Sequence, residues 1–416
     1  MKTTLSAAAF IFAGLALAAA GSIPLPSIPD KTFNITDFGA IADGKTMDTR
    51  AIQKAVDAAS AAGGGTVLVP PGKFLTGPFT LTNNVDLHLE KGAVILISND
   101  RNNYPLVNKR FVDAITANNC HDLRLSGDGI IDGQGQSWWE AFHSDPTLPH
   151  RPYLIKFTNC ERLEVSGITL QNSPMFHLVP QGCTDVSIHD ITIHSPGNAS
   201  NTDGIDPSGW NFYITRCLID TGDDNIAIKP GHDRTPGNKN YLITDCHFLR
   251  GHGMSVGGGT AGGLDNLVVS NCTFLNTDAG IRIKTLRGNG GLLQNATYEN
   301  LTMESVRNPI YIIDWYPERN APKDPSTEQK QPITPTTPLN QNIIIRDVTA
   351  TNCANAGTIR GLPEAPITDV SFSNVHISAA TGMKIYHAAE ISFVDSSIHA
   401  DSGPALDKFN AQVTGL

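Results

Sequence analysis

Two adjacent acids, Asp223 and Asp224, stand in "CLIDTGDDNIAIKPG", a stretch that otherwise alternates like a β-strand, and strand interiors are poor in Asp. Along the chain from them lie Asp203 in "NTDG", His252 in "GHG", Arg282 and Lys284 in "RIK", and Tyr311 in "NPIYI". Three carboxylates, an imidazole and two cations in one groove would suit cleavage of a glycosidic bond next to an acidic sugar. An inverting hydrolase of that kind needs a protonated acid at the leaving oxygen and an opposed carboxylate holding water, roughly 6.5 to 9.5 Å apart. Close acids raise one another's pKa, so one of them can stay protonated near neutral pH. Arg282 would fork onto a substrate carboxylate, and Lys284 would add a point charge beside it. Singly, each member has a plainer reading: a solvated turn or calcium ligand for the acid pair, a tight-turn residue for His252, an outward strand face for "RIK", a core position for Tyr311.

What could bring these groups together is a repeat. "RLEVSGITL" from Arg162, "DVSIHDITI" from Asp185, "NFYITRCLI" from Asn211, "NYLITDCHF" from Asn240, "NLVVSNCTF" from Asn266, "NATYENLTM" from Asn295, "NIIIRDVTA" from Asn342, "DVSFSNVHI" from Asp369 and "EISFVDSSI" from Glu390 align without gaps. Each reads as a short alternating strand, a polar corner and a second short strand. Their seventh column is Ile168, Ile191, Cys217, Cys246, Cys272, Leu301, Val348, Val375 and Ser396, recurring mostly every 21 to 29 residues. That period is too short for a crossover containing a helix and fits a parallel β-helix, whose coils stack about 4.8 Å apart.

Residues at equivalent offsets past the column lie above one another on one face. Asp203 is 12 past Ile191, Asp223 and Asp224 are 6 and 7 past Cys217, and His252 is 6 past Cys246; Arg282 and Lys284 are 10 and 12 past Cys272, and Tyr311 is 10 past Leu301. Successive coils thus each offer a functional group after the same corner, in two clusters of offset. Cys217, Cys246 and Cys272 fall in the inward column, where they are expected as small buried hydrophobes rather than disulfide partners. The sequons "NIT", "NAS", "NCT", "NAT" and "NLT" lie in Asn-rich corners, expected as turn formers with stacked side chains.

Gly is abundant at 38 of 416 residues, apolar residues come in short Ile, Val and Leu runs, and the expected class is all-β. "DTRAIQKAVDAASAAGGG" is the one clear helix: Asp48 or Thr49 as N-cap, Ile52, Val56 and Ala59 on one face, a stop at Gly63. It is expected to cap the open end of the solenoid, where unpaired strand edges invite aggregation. Tyr316 to Leu339 is rich in Pro and charge, interrupts the repeat, and reads as a long surface loop at one rim of the groove. Residues 1–20, one Lys followed by an apolar run and small residues, have the pattern of a secretory signal, leaving 21–416 as a single domain exported outside the cell or to a periplasm. The formal charge of −10 argues against nucleic acid or an anionic membrane as partner, while a local basic pocket can still bind an anion. The seven cysteines have no metal-site spacing, and the protein is expected to act as a monomer.

Here the residues also carry a resemblance. "NTDG" at 201, "GDD" at 222, "GHG" at 251, "RIK" at 282 and Tyr311 resemble, in order, the motif set of the polygalacturonases in glycoside hydrolase family 28; "DFGAIADGKTMDTRAIQKAV" and "IDGQGQSWW" are similar to that family's amino-terminal segments. The resemblance implies a right-handed parallel β-helix that hydrolyses α-1,4 bonds of homogalacturonan, an acidic polysaccharide of pectin, with inversion and with no metal or other cofactor. It makes Asp223 the general acid, gives Asp203 and Asp224 the activation of water, gives His252 a part in the acid's protonation, and gives Arg282, Lys284, Tyr311 and Asn201 the holding of galacturonate. The segment "MSVGGGTAGGL" after the His is more Gly-rich than the endo-acting pattern and the loop after Tyr311 is long; a 316–339 loop that closes one end of the groove would release single sugars, which leans the expectation slightly towards exo action.

Three rivals are open at this stage. A rhamnogalacturonan hydrolase of the same fold usually lacks the His and the two cations. A pectate lyase abstracts a proton with a base and calcium, and needs no acid pair for a leaving group. A non-catalytic carbohydrate-binding solenoid calls for stacked aromatics; of Trp138 and Trp139, read as strand neighbours, at most one could face a groove.

Overall fold

A computed structural model describes residues 23–231 and 237–416. The expected signal segment lies outside the described residues. Among those described, no helix is long and apolar enough to cross a membrane. The chain divides into two compact units, one made of Ile23–Ser208 and Thr215–Ala227, the other of Gly209–Ile214 and Ile228–Leu416.

The first unit is a stack of coils with three strand faces. On one face Thr32–Asn34, Gly65–Val69, Val85–Leu89, His121–Gly127, Glu161–Ser166 and Cys183–His189 pair in succession, all parallel. A second face runs from Asp43–Met47 through Gly72–Thr76, Ala93–Ile97, Ile130–Asp132, Thr169–Gln171 and Thr192–His194 to Leu218–Asp220. A third contains Phe79–Thr80, Ile115–Asn118, Ile155–Thr158 and Leu178–Gln181, and continues by single bridges from Leu178 to Ile205 and from Ile205 to Ile226. In the second unit Asn238–Thr244, Leu264–Ser270, Leu292–Glu304, Leu339–Arg360, Ile367–Val394 and Ser397–Thr414 stack in the same parallel way. This is the all-β, parallel β-helical architecture that the repeat implies.

The local cause of the coil is a pair of left-handed residues in each repeat. All nine first positions of the alignment, from Arg162 (φ 53°) to Glu390 (φ 56°), have positive φ, and so do all nine sixth positions, from Gly167 to Asp395. Asn, Asp and Gly dominate these positions because their short or absent side chains tolerate that conformation. Each bends the chain and delivers the seventh residue inward: Ile168, Ile191, Cys217, Cys246, Cys272, Leu301, Val348 and Val375 are buried, and Ser396, in the last repeat, is only partly covered. Arg216 is the exception in type at a sixth position, and its guanidinium forks onto Asp190, the sixth residue of the preceding repeat, with two contacts of 2.7 Å.

Equivalent side chains then meet one coil apart. Asn266 donates to Asn240, and Asn240 to Asn211, each at 2.9 Å; Asn300 donates to Asn271 at 2.7 Å and Asn342 to Asn295 at 2.5 Å. Three of the five sequon asparagines are therefore in corner ladders. Phe212 stacks on Tyr241 with centroids 4.8 Å apart, the coil spacing. None of the seven cysteines, all among the described residues, forms a disulfide, and each column thiol donates to the carbonyl two residues before it, at 3.1 to 3.3 Å.

The helix Thr49–Ala61 forms where expected, burying Ile52, Val56 and Ala59 against the strands Thr32–Asn34 and Gly65–Val69. Asp48 stands at the N-cap, one of the two positions expected, but its side chain makes no capping bond and instead accepts from the Ile41 amide at 2.8 Å, tying the preceding loop to the helix. A second helix, Gln136–Ser144, replaces the strand read through Trp138 and Trp139. Gly133 and Gly135 allow this turn, because a Cβ at either would fall 2.6 to 2.7 Å from the Asn172 carbonyl oxygen. Both indoles are buried, Trp138 against Tyr104 and Phe111 and Trp139 donating to the Ser173 carbonyl at 3.0 Å, so neither serves as a sugar platform.

Candidate active site

In the first unit the acids sit where the third strand face thins to single bridges. Ile205 pairs in parallel with Ile226, and the Gly204 amide donates to the Asp224 carbonyl at 2.9 Å. Counting back two residues from each bridge partner places Asp203 opposite Asp224 on the adjacent coil, about 4.8 Å along the stack. Both are buried, and Asp223 is partly exposed. The turn that carries the pair is tightly held: the Gly222 amide donates to Thr202 Oγ1 at 3.0 Å, Thr221 Oγ1 to the Asp223 carbonyl at 3.0 Å, and the Asp224 amide to Asp223 Oδ1 at 2.8 Å. No Cβ fits at Gly222, where it would lie 2.4 Å from the Ala199 carbonyl oxygen. Asn225, wholly buried, donates to the Ile219 carbonyl at 3.0 Å and closes the turn. The local sequence "TGDDN" is thus explained by backbone packing at Gly222 and Asn225, with the two acids between them.

Two residues that the sequence reading passed over support Asp203. The buried His177 donates from Nδ1 to the Asp203 carbonyl at 3.0 Å, while its Nε2 receives the Ser173 amide at 3.4 Å and faces Ser195 Oγ at 3.0 Å. A carbonyl at one nitrogen and an amide donor at the other fix the neutral Nδ1–H tautomer. Burial pushes the His177 pKa down to about 4, so the ring stays neutral. Arg151, 3% exposed, donates to the Pro174 carbonyl at 2.8 Å, the Ser200 carbonyl at 3.0 Å and Asn201 Oδ1 at 2.7 Å. Asn201, expected to face substrate, therefore gives its carbonyl oxygen to Arg151. Nothing local in "HRPYL" distinguishes Arg151; its partners lie 23, 49 and 50 residues away.

In the second unit His252 lies between Gly251 and Gly253, both at positive φ. A Cβ at Gly253 would lie 1.9 Å from the Ala279 carbonyl oxygen, so the "GHG" pattern is what lets the backbone pass the next coil with an imidazole presented between. Two residues on, Met254 pairs with Ile281. The strand Ala279–Lys284 turns Ile281 and Ile283 into the core and places Arg282 and Lys284 together on the opposite face. Arg282 pairs with Ser255 on one side and Tyr311 on the other, and Lys284 with Gly257 and Ile313. Arg282, Lys284 and Tyr311 are thus brought to one patch of two neighbouring strands.

The loop after Tyr311 reaches back over this patch. The Tyr316 ring centroid lies 5.8 Å from the Arg282 guanidinium and 5.3 Å from Lys284 Nζ, and Tyr311 donates to Glu318 Oε2 at 3.0 Å. Desolvation, followed by the Glu318 charge, holds the Tyr311 hydroxyl above the ordinary phenol range, so it remains a donor. Further along, Glu328 is buried against Arg360 in a contact that pins the loop to the solenoid. Tyr316 and Glu318 carry no motif of their own, and only the course of the loop brings them here.

Comparison with known proteins accounts for this pattern across the chain. Residues 60–397 match the model of the family described as glycosyl hydrolases family 28. A probable polygalacturonase of Vitis vinifera is 32% identical over 376 residues, spanning 84% of this chain and 75% of that protein. An exopolygalacturonase of Zea mays is 33% identical over 300 residues, 68% of this chain and 70% of its own length. Among solved structures, the hyperthermoactive exopolygalacturonase of Thermotoga maritima superposes with a TM-score of 0.76 at 26% identity, over 89% of this chain and 95% of that one. A family match running from within the capping helix to the last repeat, together with relatives above 30% identity over most of the length, places this chain in family 28 of the glycosyl hydrolases.

Proposed function

We propose that the protein is a polygalacturonase that hydrolyses the α-1,4 bonds of homogalacturonan with inversion of configuration. The observation that carries this reading is the stacking of Asp203 on Asp224 one coil apart, with Asp223 next to them on the same turn. Asp223, the most exposed of the three, donates the proton to the leaving oxygen, and Asp203 and Asp224 orient and deprotonate the attacking water. Crowded carboxylates hold a proton among them, which leaves an acid and a base in the same site. His252 supports the protonation of Asp223. Arg282 forks onto the galacturonate carboxylate, Lys284 adds its charge, and Tyr311 and Asn201 hold the sugar ring's hydroxyls through the groups left to them.

Exo action is the mode we favour. Its support is the loop that brings Tyr316 and Glu318 over the Arg282 and Lys284 patch, together with the activity named for the maize and Thermotoga relatives. A polymeric wall substrate also implies export, in keeping with the apolar character of residues 1–20.

The deciding experiment follows the products from polygalacturonate over time by mass and ultraviolet absorbance, alongside the Asp223→Asn variant. Saturated galacturonate alone from the first minutes identifies an exo-acting hydrolase, and a shortening ladder of oligomers an endo-acting one. Unsaturated products, lighter by one water, would sink the hydrolase reading in favour of a lyase. No product from polygalacturonate, with release from rhamnogalacturonan, would move the substrate. Asp223→Asn should lose at least about a thousandfold in kcat while still binding oligogalacturonate, since the acid is required only as the bond breaks.

A further inference from the structure

We propose that Arg151 is a positioning residue for the Asp203 carboxylate, one that locks the 199–203 turn to the neighbouring coil and sets a fixed cation behind the base. The inference rests on the reading of Asp203 as an activator of water.

A guanidinium on a residue only 3% exposed is costly unless its donors are met. Three of its five N–H groups are met here by backbone and amide oxygens from two coils: Pro174 in one, Ser200 and Asn201 in the next. The fork therefore acts as a rivet between coils directly before Asp203. On its other side the Phe142 ring covers the guanidinium carbon at 4.1 Å, supplied by the helix Gln136–Ser144. The planar group is thus held by hydrogen bonds at its edge and by a ring at its face, an arrangement a lysine cannot reproduce.

Asn201 is at positive φ (58°), the conformation that turns the chain into Thr202 and Asp203, and its side chain is one of the three acceptors. Thr202 Oγ1 in turn receives the Gly222 amide from the acid-pair turn. Arg151 is thereby linked through consecutive residues to both carboxylate-bearing turns. The charge matters as well as the shape. All three direct acceptors are neutral, and Asp203 first, then Asp223, are the anions that attract Arg151 through space. Burial lowers the guanidinium pKa to about 10, so it remains a cation wherever a carboxylate pair works, and by reciprocity it favours an ionised Asp203.

The test compares Arg151→Met, Arg151→Lys and Asp203→Asn with wild type for kcat, KM and thermal unfolding on polygalacturonate. Loss of both fork and charge in R151M should lower kcat about a hundredfold with KM within about threefold, because of the proposed substrate contacts Asn201 alone touches the fork, while Arg282, Lys284 and Tyr311 do not. R151K keeps the charge and loses the fork, and should recover part of that loss, standing about tenfold below wild type in kcat. A purely structural role would instead lower the unfolding temperature and the active fraction together, with no recovery specific to charge. Wild-type kcat in R151K, or equal kcat in R151K and R151M when both are folded, overturns the inference. Should R151M fail to fold, the R151K value decides alone. Wild-type turnover in D203N would overturn the reading of the acids and the inference with it, whereas an inactive D203N beside a fully active R151M would overturn the inference only.

Discussion

Tyr311 donates its hydroxyl to Glu318 Oε2 at 3.0 Å, so a carboxylate from the loop stands beside the strand pair that carries Arg282 and Lys284. That negative charge lies where an anionic sugar is proposed to bind. Replacing Glu318 with Gln keeps an acceptor for Tyr311 and removes the repulsion. KM for polygalacturonate should fall about two- to fivefold at low ionic strength, and the difference from wild type should vanish near 1 M salt, where screening reaches within about 3 Å. A KM for E318Q that is unchanged at every salt concentration would remove Glu318 from the binding patch.

Gly253 bears on His252 through the backbone. At φ 79° and with the Ala279 carbonyl 1.9 Å from any Cβ, Gly253→Ala must displace the chain that presents the imidazole. We expect a loss of about 2 to 4 kcal/mol in unfolding free energy, and a kcat loss that persists at temperatures where the variant is fully folded. Denaturant titration and assay of the same preparation check both parts.

The corner ladders separate backbone from side-chain contributions. Asn240 has φ 61°, donates to Asn211 and accepts from Asn266, each at 2.9 Å. Asn240→Ala should cost about 2 to 3 kcal/mol, the sum of the left-handed penalty and two lost hydrogen bonds. Asn240→Gly should recover about 1 kcal/mol of this, since glycine tolerates the angle but leaves the ladder broken. Equal stability of the two variants would mean that the backbone angle contributes nothing here.

His177 gives a pH dependence whose sign is fixed by its tautomer. The buried ring titrates near 4 in the folded protein and near 6.5 unfolded, so between these values the unfolded chain binds the extra proton. Stability is unaffected above about pH 6.5 and is progressively lost as pH falls towards 4, by up to about 3 kcal/mol. Unfolding free energies of wild type and His177→Gln should therefore converge as the pH is lowered through this window. A gap that stays constant would show that His177 does not titrate with unfolding.

The sequence by itself determined the coil. Asn, Asp and Gly recurring at the first and sixth positions of nine repeats, with apolar residues between, specify local backbone angles and an inward column, and both are set by near neighbours. The same counting singled out Asp203, Asp223, Asp224, His252, Arg282, Lys284 and Tyr311 as candidates, because a solenoid converts sequence offset into position on a face. The helix through Trp138 and Trp139 was not legible, since it is stabilised by burial of both indoles under segments far along the chain rather than by its own short sequence. Arg151, His177, Tyr316 and Glu318 were hidden for the same reason. Their roles come from partners on other coils or on a loop that folds back, and only tertiary contact decides which carbonyl a buried guanidinium meets or which cation a loop tyrosine covers.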